Sequence, residues 1–327
     1  MSVLVTGAIT IVVGVGGMLA YFWVSNYLLD NVFFPAKGEN IGRNVRRATA
    51  IRPWLFVFPA VFALGLYLVI PVFYSAWLSV TAGVAEERGV LANYAEIFQN
   101  RTFRVSLLNN FLWVLVVPAA STFFGLLAAQ LTDRLSWGNI AKSLVFMPMA
   151  ISFVGASLIW SFVYHPDIEI GILNAVRGLF GADDGVTFID GDIVDSFWLM
   201  VVLIWIQTGF AMVILSAALR GVPEDTIEAA IVDGANPFQI FFKIKVPQIM
   251  PTILVVWTTI TILVLKVYDI VAAMGSQYRN LEILPTQMMQ YFDTGNYGFA
   301  TAISVVIMVI VLPVMIWNIR QARAEMR

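Results

Sequence analysis

The 327-residue chain contains no cysteine and a single histidine, His165. Disulfides, thiolate chemistry and cysteine-ligated metals are therefore excluded, and one imidazole cannot build a histidine metal centre. Charge is scarce too: Asp, Glu, Lys and Arg make up 12% of the residues, where soluble domains carry roughly a quarter. The basic residues are dispersed over short segments and form no stripe that could track nucleic acid. No Gly-Lys dipeptide occurs, so the chain lacks the G-x-x-x-x-G-K-[ST] loop that cradles ATP phosphates. There is no nucleophile elbow, no metal-ligand cluster, no repeat of fixed period and no low-complexity tract. The acidic pairs Glu86–Glu87 and Asp183–Asp184 read as solvated loop residues.

Apolar surface, by contrast, is abundant at 60% hydrophobic residues. Seven stretches reach the about 20 residues needed to cross about 30 Å of hydrocarbon: 3–24, 54–80, 106–131, 143–163, 197–219, 250–272 and 298–319. In lipid only helices and closed barrels satisfy the backbone, and barrel strands are shorter and alternate. The fold class is an all-α polytopic membrane protein. Lysine and arginine then orient it. The segments 25–53, 132–142, 220–249 and the tail after 318 carry 13 basic residues, against 5 in 81–105, 164–196 and 273–297. The first set is expected in the cytoplasm, which puts the C-terminus inside and the N-terminus on the periplasmic side. Segment 1–24 lacks a basic n-region and a clear A-x-A site, so it reads as a retained transmembrane helix. The expected organisation is that helix, a basic cytoplasmic linker 25–53 (with Lys37, Gly38, Arg43, Arg46 and Arg47), a first core helix with its outer loop 54–104, a core 105–318, and a tail 319–327.

The loop 220–249 contains EAAIVDGANPFQIFFKIKVPQIMP, residues 228–251. Pro223 suits the first turn of a helix, and Glu224, Asp225 and Glu228 complement its positive end. Ile227, Ala230 and Ile231 share one face; Gly234 can adopt positive φ and stop the helix. Asn236–Pro237 restarts the chain, because the residue before proline resists the helical region. A second helix then carries Phe238, Phe241, Phe242 and Lys245, with Pro247 and Pro251 closing it. Two short amphipathic helices at this place fit either a lipid surface or a groove on a soluble partner. Periodicity does not choose between them.

Spacing supplies what periodicity does not. Glu228-Ala229-Ala230, Gly234 after three residues, Ile244 after nine more and Val246-Pro247 resemble the EAA loop of permeases from binding-protein-dependent ABC importers, with Val246 in place of the usual leucine. The stretches FMPMAISFVGASLIWSFVY, GILN at 171–174, IWIQTGFAMVILSAALRGVPEDTIEAA, LKVYDIVAAM and YGFATAISVVIMVI resemble the carbohydrate branch, of the maltose or α-glucoside kind. The resemblance implies a six-helix ABC type I importer core plus one extra N-terminal transmembrane helix, in a bacterial inner membrane. It implies that Glu228, Ala229, Ala230, Gly234, Ile244 and Pro247 form a coupling helix seated on a cytoplasmic ATPase. It further implies a second permease subunit, two ATPase copies and a periplasmic sugar-binding protein, with a di- or oligosaccharide as substrate. The chain itself would not be an enzyme and would bind no cofactor; ATP and Mg would sit on the partner subunit. Another solute class for an ABC permease, or a carrier driven by an ion gradient, are the alternatives.

Polar side chains inside the spans are costly facing lipid and so are expected to face the interior. Lys266 and Asp269 stand three apart and so on one helical face, as a substrate-pathway element or an ion pair. Asn110, Gln207, Thr208, Thr259 and Tyr268 are candidate substrate contacts by residue type, with Asn109 and Trp160; helix–helix hydrogen bonds are the competing use. Trp160 and Trp198 near span ends suit interfacial anchoring. His165 reads as a loop residue.

Overall fold

The computed structural model describes residues 3–325 except 36, 38–40, 134, 183 and 276, so Gly38 and Asp183 lie outside the described residues. Among the described residues there are helices and no strands. The chain divides into a first unit, 1–74, and a second, 75–327. In the first, α1 (Val3–Leu28) and α2 (Ile41–Leu64) pack as a hairpin, each extended by a π turn, at Leu29–Phe33 and Gly65–Val69. The Tyr21 hydroxyl donates to the Leu55 carbonyl at 3.0 Å, Phe22 stacks on Phe56 at 4.8 Å, and Arg52 grips both oxygens of Asp30 at 2.6 and 2.8 Å. The stretch expected as a linker, 25–53, is thus helical over most of its length. The next helix, α3 (Ile70–Thr81), leads into the second unit.

The second unit continues with α4 (Val84–Arg88), α5 (Ala92–Gln99), α6 (Arg101–Thr132), α7 (Gly138–Phe146), α8 (Phe153–Val163), α9 (Ile172–Leu179) and α10 (Ser196–Arg220). There follow α11 (Glu224–Val232), α12 (Pro237–Ile240), α13 (Val246–Gln248), α14 (Met250–Val264), α15 (Asp269–Met274), α16 (Leu284–Asp293) and α17 (Tyr297–Glu325). At the centre α10 crosses α6. Leu199, Leu203, Met212 and Leu215 of α10 are fully buried, as are Trp113 and Val117 of α6. A Cβ added at Gly125 would stand 2.4 Å from Ala211 Cβ and 2.8 Å from the Met212 nitrogen. The two backbones approach because both positions are small, the usual device where lipid supplies no hydrophobic drive. Trp113 Nε1–H donates to Ser196 Oγ at 3.0 Å and satisfies the buried indole.

Among the described residues five helices can cross a membrane by length and composition, and seven spans result if two bent pairs each count as one. Two expected continuous spans are corrected, the first by one of those bends and the second by a separate break after Val264. The 143–163 segment is broken by 106° between Ala150 and Phe153. There Ile151 is extended, and Ser152 caps α8 by accepting from the Gly155 N–H at 3.1 Å. A serine hydroxyl offers the backbone an alternative to the helical bond, which apolarity alone does not reveal. The 250–272 segment likewise ends as a helix at Val264. The Lys266 and Val267 amides bond three residues back, to Leu263 and Val264, and Asp269 starts α15. Lys266 and Asp269 therefore share no helical face and form no ion pair.

Three π turns occur among the described residues, centred on Asn31, Tyr67 and Lys243. Each centre lies four residues before a proline: Pro35, Pro71 and Pro247. A proline cannot donate to the carbonyl four residues back and its ring crowds it, so widening that turn relieves the clash. Pro118 and Pro313 sit inside α helix without one, so proline is the common element but does not suffice.

Candidate functional site

The EAA-like loop builds a compact knob. Pro223 is the N-cap of α11 (φ −58°, ψ 132°), one residue outside the helix rather than in its first turn. Glu224 and Asp225 follow at the helix's positive end. Gly234 has φ +81°; its N–H donates to Ile231 O at 3.0 Å, and the Ala235 N–H to Ala230 O at 2.9 Å. This is a Schellman stop, and it explains the Ala230–Gly234 spacing: the buried alanine supplies the last carbonyl and only glycine turns left-handed without strain. Asn236 then caps α12. Its Oδ1 accepts from Gln239 N while Gln239 Oε1 accepts from Asn236 N, both at 2.9 Å. Ile244 lies in the π turn Phe241–Lys245, Pro247 follows in α13, and a 69° bend leads into α14.

What the knob presents is apolar. Val232 is 86% exposed and Phe238 77%, with Ile231 and Phe242 also exposed. Glu228 and Ala229 are exposed beside them. A cavity of about 240 Å³ opens between the knob and the end of α6, lined by Leu127, Leu131, Pro237, Phe238, Phe241 and Phe242.

At the root of the knob the structure assembles a polar cluster that has no sequence signature. Lys142 Nζ bonds Asp133 Oδ1 and donates to Ser216 Oγ at 2.8 Å; Arg220 Nη2 donates to the same Asp133 oxygen at 3.0 Å. Burial pushes the Asp133 carboxyl up, but the hydrogen bonds from Lys142 and Arg220 outweigh it and hold it below the ordinary aspartate value. The cluster ties the ends of α6 and α10 to the middle of α7, four residues before α11 begins. Its members stand singly at the edges of separate apolar segments, where each reads only as a loop charge.

The in-span polar residues do not meet at one place. Asn110 is buried and accepts from the Leu284 N–H at 2.6 Å, while Asn109 donates to Asn280 O at 2.8 Å and Glu282 O at 2.9 Å. Both hold the 280–284 strap against α6. Gln207 is buried within the α10 packing, and Thr259 is exposed with its hydroxyl bonded to Val255 O. Thr208 and Trp160 line a cavity of about 520 Å³ with Phe124, Val201 and Trp205, where the two indoles meet edge-on at 5.8 Å. Lys266 and Tyr268 line a separate one of about 330 Å³ with Met288, Met289 and Ser304. Asp269 begins α15. Trp198 packs edge-on against Tyr164 at 5.6 Å, and its carbonyl accepts the Tyr164 hydroxyl at 2.9 Å. In the connection between α8 and α10 Asn174 is fully buried and donates to the carbonyls of His165 and Val186 at 2.8 and 2.9 Å, while His165 Nδ1 accepts from Asp167 N.

Residues 121–324 match the family described as binding-protein-dependent transport system inner membrane component. The chain is 54% identical to the alpha-glucoside transport system permease protein AglF of Rhizobium meliloti (strain 1021), over 99% of each chain. It is 43% identical to the osmoprotective compounds uptake permease protein GgtC of Synechocystis sp. (strain ATCC 27184 / PCC 6803 / Kazusa), over 83% of this chain and 99% of that one. A solved bacterial ABC transporter involved in the import of the acidic polysaccharide alginate includes a chain of the same fold, with a TM-score of 0.71 at 19% identity, covering 88% of this chain and 100% of that one.

Proposed function

The chain belongs to the family of binding-protein-dependent transport system inner membrane components, and from that premise we propose that it is the α-glucoside-conducting permease subunit of an ATP-driven importer. One observation carries the solute class: 54% identity to an alpha-glucoside permease, sustained over 99% of both chains. The partners follow from the chemistry this chain lacks. Without a phosphate-binding loop it draws its work from a separate ATPase, present in two copies, with ATP and Mg bound there. A second permease completes the pathway, and a periplasmic binding protein delivers the sugar.

The exposed apolar residues of the knob, Ile231, Val232, Phe238 and Phe242, are its contact with the ATPase, and Glu228 and Ala229 flank them. Closure of the ATPase pair displaces α11. The Asp133–Lys142–Arg220 cluster passes that displacement to α6, α7 and α10 as one body. The cavity then alternates between its two accesses, driven only by the difference in partner affinity for the two states. Substrate contact falls to the cavity-lining Thr208, Trp160, Lys266 and Tyr268 rather than to Asn110, whose amide oxygen is engaged by Leu284. Asp269, Gln207 and Thr259 support the pathway from outside these cavities.

Uptake of labelled maltose and trehalose by proteoliposomes holding the complete complex tests this reading. ATP-dependent accumulation is expected. Accumulation that ignored ATP but followed a proton or sodium gradient would overturn it. The 43% identity to an osmoprotectant permease supports a second solute class, and selective uptake of such a compound instead of α-glucosides would decide for it.

A further inference from the structure

We propose that the basic start of α2 is a binding site for anionic phospholipid headgroups of the surrounding bilayer. The inference rests on the first unit alone and is independent of the transported solute. From Ile41 to the end of that unit the chain is helical through α2, its π turn and the start of α3. Its roughly 34 residues, at about 1.5 Å each, span about 51 Å, far more than the about 30 Å of hydrocarbon. The excess falls at the start, because Arg43, Arg46, Arg47 and Arg52 interrupt the apolar residues there and the charge-free apolar run begins only after Arg52.

Aromatic residues mark the level of the membrane surface independently. Trp54 is 76% exposed, and on α1 the exposed rings of Trp23 and Tyr27 stack at 5.6 Å, 17° apart. Exposed, amphipathic rings of this kind settle at the headgroup layer. Immediately beyond them Arg43, Arg46 and Arg47 stand exposed at i, i+3 and i+4, hence on one helical face. Among the described residues no carboxylate lies within ion-pair distance of any of the three. The sequence holds no Asp or Glu between Glu39 and Glu86, and the nearest described carboxylate, Asp30, is already gripped by Arg52.

A cavity of about 430 Å³ on the other side of α2 is lined by Asp30, Lys37, Val45, Thr49 and Arg52, where Asp30 and Arg52 neutralise each other, so the site is the arginine face itself. Guanidinium forks match phosphate oxygens bidentately and stay charged at any physiological pH. Charge complementarity and position at the headgroup level thus select an anionic lipid as the occupant.

The test is native mass spectrometry of the full chain released from nanodiscs of equal phosphatidylglycerol and phosphatidylcholine. The wild type is expected to retain phosphatidylglycerol in preference, with the preference falling as salt is raised. Each arginine contributes about fivefold, so Arg43→Gln/Arg46→Gln/Arg47→Gln together lose roughly a hundredfold. The corresponding triple Arg→Lys variant keeps most of the preference, and Lys37→Gln loses about fivefold. Equal retention of the two lipids by wild type, or an unchanged preference in the triple Gln variant, overturns the proposal; the latter leaves the arginines to an acidic protein surface. Should the triple Gln variant not fold, the wild-type salt dependence and the Lys variant decide.

Discussion

The Arg220 guanidinium lies 3.0 Å from Asp133 Oδ1, joining residues 87 positions apart at the ends of α10 and α6. The Asp133 side chain is 23% exposed and that of its second partner, Lys142, 16%, so this pair is sheltered from solvent while Arg220, at 62%, reaches it from the surface. Asp133→Asn leaves two cations without their counter-charge. The expected cost is about 1–3 kcal/mol of stability, read as a lowered thermal midpoint in detergent. Transport is expected to fall more than ATPase activity, since the variant loosens the joint between knob and helices rather than the knob itself. Equal losses in both would remove the joint from the mechanism.

The same carboxyl fixes a pH dependence. Its folded-state pKa lies below the unfolded value, so its stabilisation is fully present above about pH 4 and is lost as pH falls through the folded value. Below about pH 4, unfolding midpoints should drop more steeply with falling pH in wild type than in Asp133→Asn. Parallel curves would contradict the assignment.

Glu282 works with the opposite sign. It is 2% exposed in the strap before α16; burial pushes its carboxyl up, against a hydrogen bond from Gln290 and the charge of Arg279. The folded protein holds this proton more tightly than the unfolded chain, so the stabilisation is present below the unfolded value of about 4.5 and declines as pH rises towards the folded one. Among the described residues its Oε2 has no hydrogen-bond partner, nor do the buried oxygens of Asn109 and Gln287 on the adjoining elements. Glu282→Gln keeps an acceptor for Gln290 and adds an amide donor. On the order of 1 kcal/mol of added stability at pH 7 is expected, with the pH slope abolished.

In the knob, Gly234→Ala places a side chain at φ +81°, at a cost of about 1–2 kcal/mol, and opens the Schellman stop. Glu228→Lys reverses a charge at an exposed position without touching the fold. Both are expected to abolish coupled transport while membrane insertion, measured by fractionation, stays normal. Undiminished uptake by both would sink the coupling role of the loop.

At the α6–α10 crossing the obstacle is backbone. Gly125→Ala brings a methyl within 2.8 Å of the Met212 nitrogen, which cannot step aside as a side-chain tip could. A loss of about 1–3 kcal/mol is expected by thermal unfolding. Enlarging Gly65, whose added Cβ meets nothing within 4 Å, should cost much less and serves as the control.

The parts legible in the sequence were those set by local chemistry. The knob's two helices, the turn at Gly234 and the restart at Pro237 each depend on residues within a few positions, and the structure places them there. The breaks near Ile151 and Leu265 were not legible, because apolar residues fill both sides and hydropathy registers no interruption. The grouping of Asp133, Lys142, Ser216 and Arg220 depends on how three helices pack, which no window of sequence contains. Asn109 and Asn110 look like any polar pair in a span; only the strap they hold distinguishes staple from ligand contact.

The π turn at Phe241–Lys245 gives the motif's spacing a mechanical meaning. A widened turn accommodates one residue more than the α-helical thread, so the nine positions between Gly234 and Ile244 include an inserted residue. Deleting one position there would keep every motif residue yet swing Pro247 and everything after it by about 100° about the helix axis. On the proposed coupling role, this count is a gear ratio: it would set the direction in which a push on the knob reaches α14.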